Sequence, residues 1–468
     1  MGSNVASVAG RATPRRETKL SDGTLLSDLI SLPTREVAMR VLADPEIYEL
    51  EMERIFGKAW LMLGHESEIP EVGDFVVRDM GADQVIVARD RDGQVYVSLN
   101  VCPHRGMRVC TTEAGNSNIH KCIYHGWAFK PNGDFVGAPV AKEKMHGEIL
   151  CKEELGLKKA RVQLYGGLIF ATWDHNGESF EEHLGDMKWY YDMLFCRTDS
   201  GLEALGPPQR FIVNANWKAA AEQSAADGFH TITLHQWLGE FGGMNEGEIV
   251  RSMYGVEVGS LKGHALRCMP VTGKFAQHTQ GFDKMTIEQK LAIIPPPGVT
   301  KEMLPQLKNH LTPAQLELLV DQPPQVGGMF PNVLVAFIYA PQPNGEILGV
   351  TSLHTYVPRG PDKLEFTNWI FAEKDAPQEY KDRVRQVATT MLGTSGMVEQ
   401  DDSDTWPHQS RNARGPQGRQ VTMKYQAICS TPKPASWPGP ALVYDGFTKD
   451  DTQWNWWLRW NELMNGEA

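Results

Sequence analysis

Two short Cys/His pairs constrain this chain more than anything else in it. One residue separates Cys102 from His104, two separate Cys122 from His125, and 17 lie between the pairs. The pairs sit in Cys-Pro-His-Arg-Gly-Met at 102–107 and Cys-Ile-Tyr-His-Gly-Trp at 122–127, which read as two loop tips meeting around one metal centre. The order of the ligands decides which centre. A finger-type zinc site takes its cysteines first and its histidines second, whereas each loop here offers one of each. That set suits a cluster of two irons, with one thiolate from each loop on one iron and one imidazole from each loop on the other. Neutral imidazoles leave such a cluster less negative and raise its potential. A structural zinc knuckle is the competing reading. Cys110 is a decoy ligand, read with Cys151, Cys196, Cys268 and Cys429 as a small buried hydrophobe.

Around these loops the pattern is short and β-branched. Residues 75–78, 84–88 and 95–99 read as strands, with Asp90-Arg91-Asp92-Gly93 and Pro131-Asn132-Gly133 as turns, which predicts a small all-β domain over 59–178. Ahead of it, a tail to about Leu20 and two short helices around Asp44-Pro45 make up residues 1–58. After Ser179 comes a helix to about 198, and then an Ala-rich stretch from Asn216 to His235 that reads as one long helix. Residues 240–330, rich in Gly and Pro, read as irregular covering loops around a few short helices. Three antiparallel strands at 332–339, 347–353 and 364–371 and a helix at 376–392 complete a second domain over 179–468. The predicted class is α+β.

A net charge of −12, from 46 basic and 58 acidic residues with no basic run beyond Arg15-Arg16, argues against a nucleic-acid partner. No stretch approaches the roughly 18 to 20 apolar residues of a membrane span, so no membrane is expected. Nothing apolar follows Arg15-Arg16 to make a secretory or twin-arginine leader, and Ala6 breaks the myristoylation pattern begun by Gly2. Seven scattered cysteines, an odd number, fit a reduced cytoplasm better than a disulfide framework. The four Trp residues at 454, 456, 457 and 460 form an aromatic stripe read as core or interface packing.

A second constellation lies on the Ala-rich stretch. Glu222, Gln223, Asp227, His230 and His235 are followed far downstream by Glu399, Asp401, Asp402 and Asp404. Two histidines and one distant carboxylate can fill one face of an octahedron around a non-haem ferrous iron, leaving the opposite positions open. His230 and His235 are five apart, about 140° around an ideal helix at roughly 100° per residue. Both can face one ion only if the helix unwinds or bulges between Gly228 and His235.

Together the two constellations resemble the large (α) subunit of Rieske non-haem iron aromatic ring-hydroxylating dioxygenases, of the naphthalene, biphenyl and polycyclic-arene type. Asn216-Trp217-Lys218, Glu222-Gln223, Asp227-Gly228-Phe229-His230 and His235 resemble that family's catalytic-iron motif, and Glu399-Gln400-Asp401-Asp402 with Trp406 resembles its later carboxylate motif. The resemblance implies a Rieske [2Fe-2S] domain with ligands Cys102, His104, Cys122 and His125. It also implies a larger helix-grip (START/Bet v1-like) catalytic domain, an antiparallel sheet with covering helices, holding one mononuclear Fe(II) on His230, His235 and Asp402. Asp401 is the rival to Asp402, and Glu399 and Asp404 are read as solvated or paired acids. Asp227 would bridge a cluster histidine of one subunit to an iron-ligand histidine of its neighbour. Gln223 stands where many relatives have Asn.

The implied activity is that of a terminal oxygenase adding both atoms of O2 to an aromatic ring to give a cis-dihydrodiol. The chain has no Gly-x-Gly-x-x-Gly after a strand, so electrons must come from outside. The resemblance implies NAD(P)H as donor, through a reductase and a ferredoxin, and a small β subunit in an α3β3 assembly. Ser224, Ala225, Ala226, Leu234, Met391, Leu392, Met397 and Val398 favour a neutral aromatic substrate. Arg251 and Arg267 keep open an aromatic acid such as a phthalate. A Rieske monooxygenase and an electron-transfer protein without catalytic iron are the further alternatives.

Overall fold

The structure is a computed structural model that describes residues 17–139, 152–241, 254–271, 279–342, 344–393, 395–428, 436–447 and 449–466. The expected tail lies outside the described residues as far as position 16, and Leu20 is already part of the core. Cys151, Cys429 and Arg251 also lie outside the described residues. Instead of two helices, residues 36–54 form a strand, Glu36–Ala38, a 3-10 turn, Met39–Leu42, and one α-helix, Pro45–Arg54. Asp44 caps that helix by accepting from Glu46 N, and Pro45 occupies its first turn, where a missing N–H costs nothing.

Strands Asp74–Met80, Asp83–Arg89 and Val95–Leu99 form an antiparallel meander, with Ala114–Asn116 added on its outer edge. Alternation along these strands serves two cores rather than one core and solvent. Val76, Val85, Val87 and Val97 face the main core. Phe75, Val77, Ile86 and Ala88 face a second cluster built on Cys102, Cys122, Trp127 and Phe129. The sequence therefore reads as unbroken apolar runs, and the meander forms a platform for the two Cys/His loops. Two three-stranded sheets flank it, one of them pairing Leu61–His65 with Leu168–Thr172.

The larger part of the chain is built on a nine-stranded antiparallel sheet. Its centre is the run of Lys363–Glu373, Ile347–Gly360 and Val333–Pro341, which contain the three predicted strands. Three further strands, Val256–Gly259, Ala265–Cys268 and Pro324–Met329, correct the expectation of irregular loops over 240–330. The first two are four residues long and buried at every position, so they carry no alternation to read. The third contains Gly327 and Gly328, residues that ordinarily argue against a strand. Here they permit close approach: a Cβ at Gly327 would lie 2.1 Å from Ala265 O, and one at Gly328 would lie 2.8 Å from Ser224 O. The expected short helices are also present, at Ile287–Ile293, Leu304–His310 and Pro313–Asp321. Helices Gln378–Leu392 and Glu399–Arg414 cover the sheet, and the C-terminal helix Asp451–Met464 buries all four of its tryptophans in the core.

Candidate metal centres

The two Cys/His loops share one backbone design. Cys102 N donates to Met107 O at 2.8 Å and Gly106 N to Cys102 O at 2.9 Å; Cys122 N donates to Trp127 O and Gly126 N to Cys122 O at the same distances. Gly106 and Gly126, at φ of +74° and +72°, supply the left-handed residue each loop needs. Both cysteines are buried, while His104 and His125 are only half-buried, with rings 4.5 Å apart. Trp127 stacks on His104 at 5.0 Å. Burial, together with neighbouring Cys122, pushes the Cys102 thiol up. His125 Nδ1 is buried without a hydrogen-bond partner. Paired buried thiols and half-buried imidazoles with an unanswered ring nitrogen fit a two-iron cluster ligated by both residue types. Cys110 faces away from such a role: its Sγ lies 3.3 Å from His120 Nδ1 in the packed interior.

The second centre depends on a broken helix. The expected helix over 216–235 is corrected: Asn216 caps an α-helix that ends at Gln223, a 3-10 turn covers His230–Ile232, and a new helix starts at Gln236. The break comes earlier than Gly228 and is not a π-bulge. Ala226 lies at φ +70°, a left-handed conformation that costs an L-residue roughly 1–2 kcal/mol. This reversal brings the His230 and His235 rings to 5.2 Å. Valine at 226 would add β-branching at a left-handed position. Ala226→Val is expected to lower both Tm and the iron bound per chain, whereas Ala226→Gly should leave both near the parent values; thermal unfolding and metal analysis test the pair.

Among the described residues, His230, His235 and Asp402 offer ligand atoms that all lie within 4.8 Å of one another. Each histidine has its other nitrogen occupied by an acid. His230 Nδ1 lies 3.0 Å from Asp227 Oδ2, and His235 Nδ1 lies 3.1 Å from Asp401 Oδ2. Both Nε2 atoms are thereby left for a metal, the arrangement in which a carboxylate fixes ring and tautomer. His235 Nε2 is buried without a hydrogen-bond partner, 3.4 Å from Asp402 Oδ2. Burial works against charge on Asp402, yet His235, His230 and Gln223 hold its carboxyl below the usual range. Burial likewise opposes charge on His235, and Asp402 and Asp401 outweigh it and raise the imidazole. An unanswered nitrogen among paired acids and histidines fits a divalent iron.

Asp401 lies outside that group of three: its Oδ2 faces His235 Nδ1 and also accepts from Trp237 Nε1 at 2.7 Å. That placement was missed in the sequence, where the only signal was its adjacency to Asp402. Of the two acids read as solvated or paired, Glu399 is buried with its Oε1 3.6 Å from His354 Nδ1, and burial beside charged Asp402 pushes it well up. Asp404 is exposed. Gln223 reaches the carboxylate, donating to Asp402 Oδ1 at 2.8 Å. Of the residues expected to shape a pocket, Ser224, Ala225, Ala226 and Leu392 are packed in cores, Leu234 is half-buried, Met391 and Val398 pack against a core, and Met397 is exposed. Arg267 is buried with its Nε unpartnered, and burial pulls the guanidinium below its ordinary value although nearby Asp227, Glu257 and Asp402 work the other way.

Comparison with known proteins agrees with this geometry. The Rieske [2Fe-2S] domain family matches residues 59–159, and the catalytic domain of the ring-hydroxylating alpha subunits matches residues 180–427. The chain is 32% identical to the biphenyl 2,3-dioxygenase subunit alpha of Rhodococcus jostii (strain RHA1) over 419 residues, 86% of this chain and 83% of that one. It is equally similar, 32% over 432 residues, to the N,N-dimethyl phenylurea N-demethylase subunit alpha of Sphingobium sp. (strain YBL2), covering 92% and 91% of the two chains. Among solved structures, naphthalene 1,2-dioxygenase from Rhodococcus sp. bound to indole superposes with a TM-score of 0.81 at 33% identity, over 92% of this chain and 95% of that one. The chain belongs to the alpha subunits of the Rieske-type ring-hydroxylating dioxygenases, oxidoreductases with a [2Fe-2S] cluster and a mononuclear iron and with O2 as co-substrate.

Proposed function

We propose that this alpha subunit adds both atoms of O2 to a neutral mono- to polycyclic aromatic hydrocarbon, giving a cis-dihydrodiol. The observation that carries the reading is the convergence of His230, His235 and Asp402 from two segments far apart in sequence. Cys102 and Cys122 would hold one iron of the cluster, His104 and His125 the other, and His230, His235 and Asp402 would hold the catalytic iron. When bound, the cluster supplies single electrons and the iron supplies a site at which dioxygen is activated. The chain's own residues bind, orient and connect. Asp227 and Asp401 fix the two ligand histidines, and Gln223 fixes Asp402.

The cluster tip and the loop that carries Asp227 both present exposed aromatic or aliphatic side chains, which supports transfer between subunits rather than within one. Ile123 and Tyr124 at the cluster tip are 70% and 57% exposed, and Phe229 beside Asp227 is 38% exposed. In an α3β3 assembly the tip of one alpha subunit would meet the Asp227–His230 face of the next, with a small β subunit alongside. A ferredoxin and an NAD(P)H-dependent reductase feed the cluster. Domain limits of 1–58, 59–178 and 179–468 and a cytoplasmic location complete the reading. Among the described residues no helix is long and apolar enough to cross a membrane.

Purified protein should contain iron and acid-labile sulfide in a ratio of about 3:2, and a panel of simple and fused arenes under labelled oxygen should yield a doubly labelled cis-diol. One zinc without sulfide would overturn the redox reading. The similarity to an N-demethylase alpha subunit favours a monooxygenase as second reading, and a single labelled atom per product would select it. Asp227→Asn is expected to retain both iron centres and lose about 10–100-fold in turnover, the usual cost of an altered ligand partner. A product rate within twofold of the parent would remove Asp227 from the connection.

A further inference from the structure

One face of the nine-stranded sheet carries a buried cation with no hydrogen-bonded counter-ion among the described residues. Arg267 pairs across strands with Glu257 on one side and Val326 on the other, and Val326 pairs in turn with Ala336. Cross-strand partners and alternate residues share a face, which puts Arg267 on the side of Gly328, Leu334 and His354. That side is the floor of the iron site. Gly328 lies under Ser224, the neighbour of Gln223, and His354 meets Glu399 on the helix of Asp402. Arg267 is 4% exposed and its Nε has no partner, while Asp227, Glu257 and Asp402 act on it from a distance, none of them by a hydrogen bond. Each of those acids is engaged elsewhere: Asp227 with His230, Asp402 with Gln223 and His235, and Glu257 with Thr452. Val326 and Ala336 have no polar side-chain atom, so neither neighbour along the sheet can accept from the guanidinium.

A guanidinium stays charged inside a protein, and burying it without a paired anion is costly. Its planar fork of donors matches the two oxygens of a carboxylate. We propose that Arg267 is the counter-ion for a carboxylate carried by the substrate, so that the site takes aromatic acids in addition to neutral rings. The proposal goes beyond the neutral ring described above and rests on the same reading of His230, His235 and Asp402 as the iron ligands. The reaction on such a ring is unchanged: two C–O bonds form, one ring double bond becomes single, and the carboxylate is carried through intact. Two electrons come from NAD(P)H through the donor proteins, and two protons complete the diol. A ring held at one end by an ion pair presents a fixed edge to the metal, an orientation that apolar lining alone does not enforce.

The test is equilibrium binding to the holoenzyme, followed by calorimetry without oxygen so that nothing turns over. The probes are benzoate, phthalate and 2-naphthoate, each beside the corresponding neutral amide. The parent is expected to bind at least one carboxylate about 10–100-fold more tightly than its amide, the range for hydrogen bonds to a charged group. Arg267→Met keeps the apolar stem, removes the charge and should abolish that preference, whereas Arg267→Lys keeps the charge without the fork and should retain part of it. Removing an unpaired buried charge relieves a cost, so Arg267→Met should melt no lower than the parent. An arginine with a merely structural role would instead lower Tm when removed and leave the preference as it was. No preference in the parent for any of the carboxylates, or a preference that survives in Arg267→Met, overturns the proposal. The parent measurement decides alone should the variants fail to fold. Product analysis under labelled oxygen keeps the two readings apart: a carboxylate preference with no product from any arene, acid or neutral, would overturn the proposed oxygenation and leave Arg267 as the anion site.

Discussion

His235→Ala should empty the catalytic iron site and reduce product formation by at least about 10³-fold, a loss of about 4 kcal/mol of transition-state stabilisation. The visible absorption of the cluster should not change. Three ligand atoms within 4.8 Å are the least that fills one octahedral face, and removing one leaves two donors with no means of holding the ion against water. His235 is also the hub of the second set of contacts, joined to Asp401 through Nδ1 and adjacent to Asp402 through Nε2. Its loss leaves two neighbouring acids facing one another without the group that separates them. The cluster loops stand on a different sheet and core, so their absorption reports that the rest of the chain has folded. Asp404→Ala is the control: this acid lies two residues from Asp402 but points to solvent, and iron content and turnover should both stay at parent values. Iron per chain, cluster absorbance and product rate measured together decide the matter, and a His235→Ala protein with full iron and turnover would remove the assigned site.

The Cys/His loops were legible because their chemistry is local. Spacing, two glycines and the order of ligand types determine a loop whose hydrogen bonds close within six residues. Helical geometry also exposed the need for a break before His235, since 140° of rotation is incompatible with a shared ion. Its position was not legible. It falls at Ala226, and alanine is uncommon at positive φ and the residue most expected inside a helix. What holds it there is distant in sequence, with Gln453 donating to Ala225 O and Gly328 packed under Ser224. The three strands missed between 256 and 329 share that cause, because strands buried on both faces carry no alternation. The choice between Asp401 and Asp402 needed the resemblance, and their different contacts with His235 needed coordinates. Adjacent residues on a helix point about 100° apart, so Asp402 comes to the Nε2 side of His235 and Asp401 to its Nδ1 side.

Glu51→Ala is expected to be the most destabilising single change outside the metal centres. Glu51 and Lys218 are completely buried and 2.7 Å apart, joining the Pro45–Arg54 helix to the helix that leads into the iron site. Burial pushes the Glu51 carboxyl up and the Lys218 ammonium down, against their mutual attraction, so the contact is not a source of net stability by charge alone. Its worth lies in satisfied donors. Trp217 Nε1 donates to Glu51 Oε2 and Trp460 Nε1 to Oε1, both at 2.8 Å, which ties in the C-terminal helix as well. Alanine would strand one buried ammonium and two indole N–H groups together. Removal of one member of a buried pair costs about 3–5 kcal/mol, which corresponds to a fall in Tm of roughly 6–20 °C for a domain of a few hundred residues. Glu51→Gln keeps acceptor and volume and should lose less. The double change Glu51→Leu with Lys218→Met removes the stranded charge and should recover part of the loss, but not the part owed to the two indoles. Thermal unfolding of the four proteins gives that order or refutes it, and a Glu51→Ala protein that melts with the parent would show the cluster to be dispensable. Iron content should fall in parallel with Tm, because Lys218 lies on the helix whose last residue, Gln223, holds Asp402.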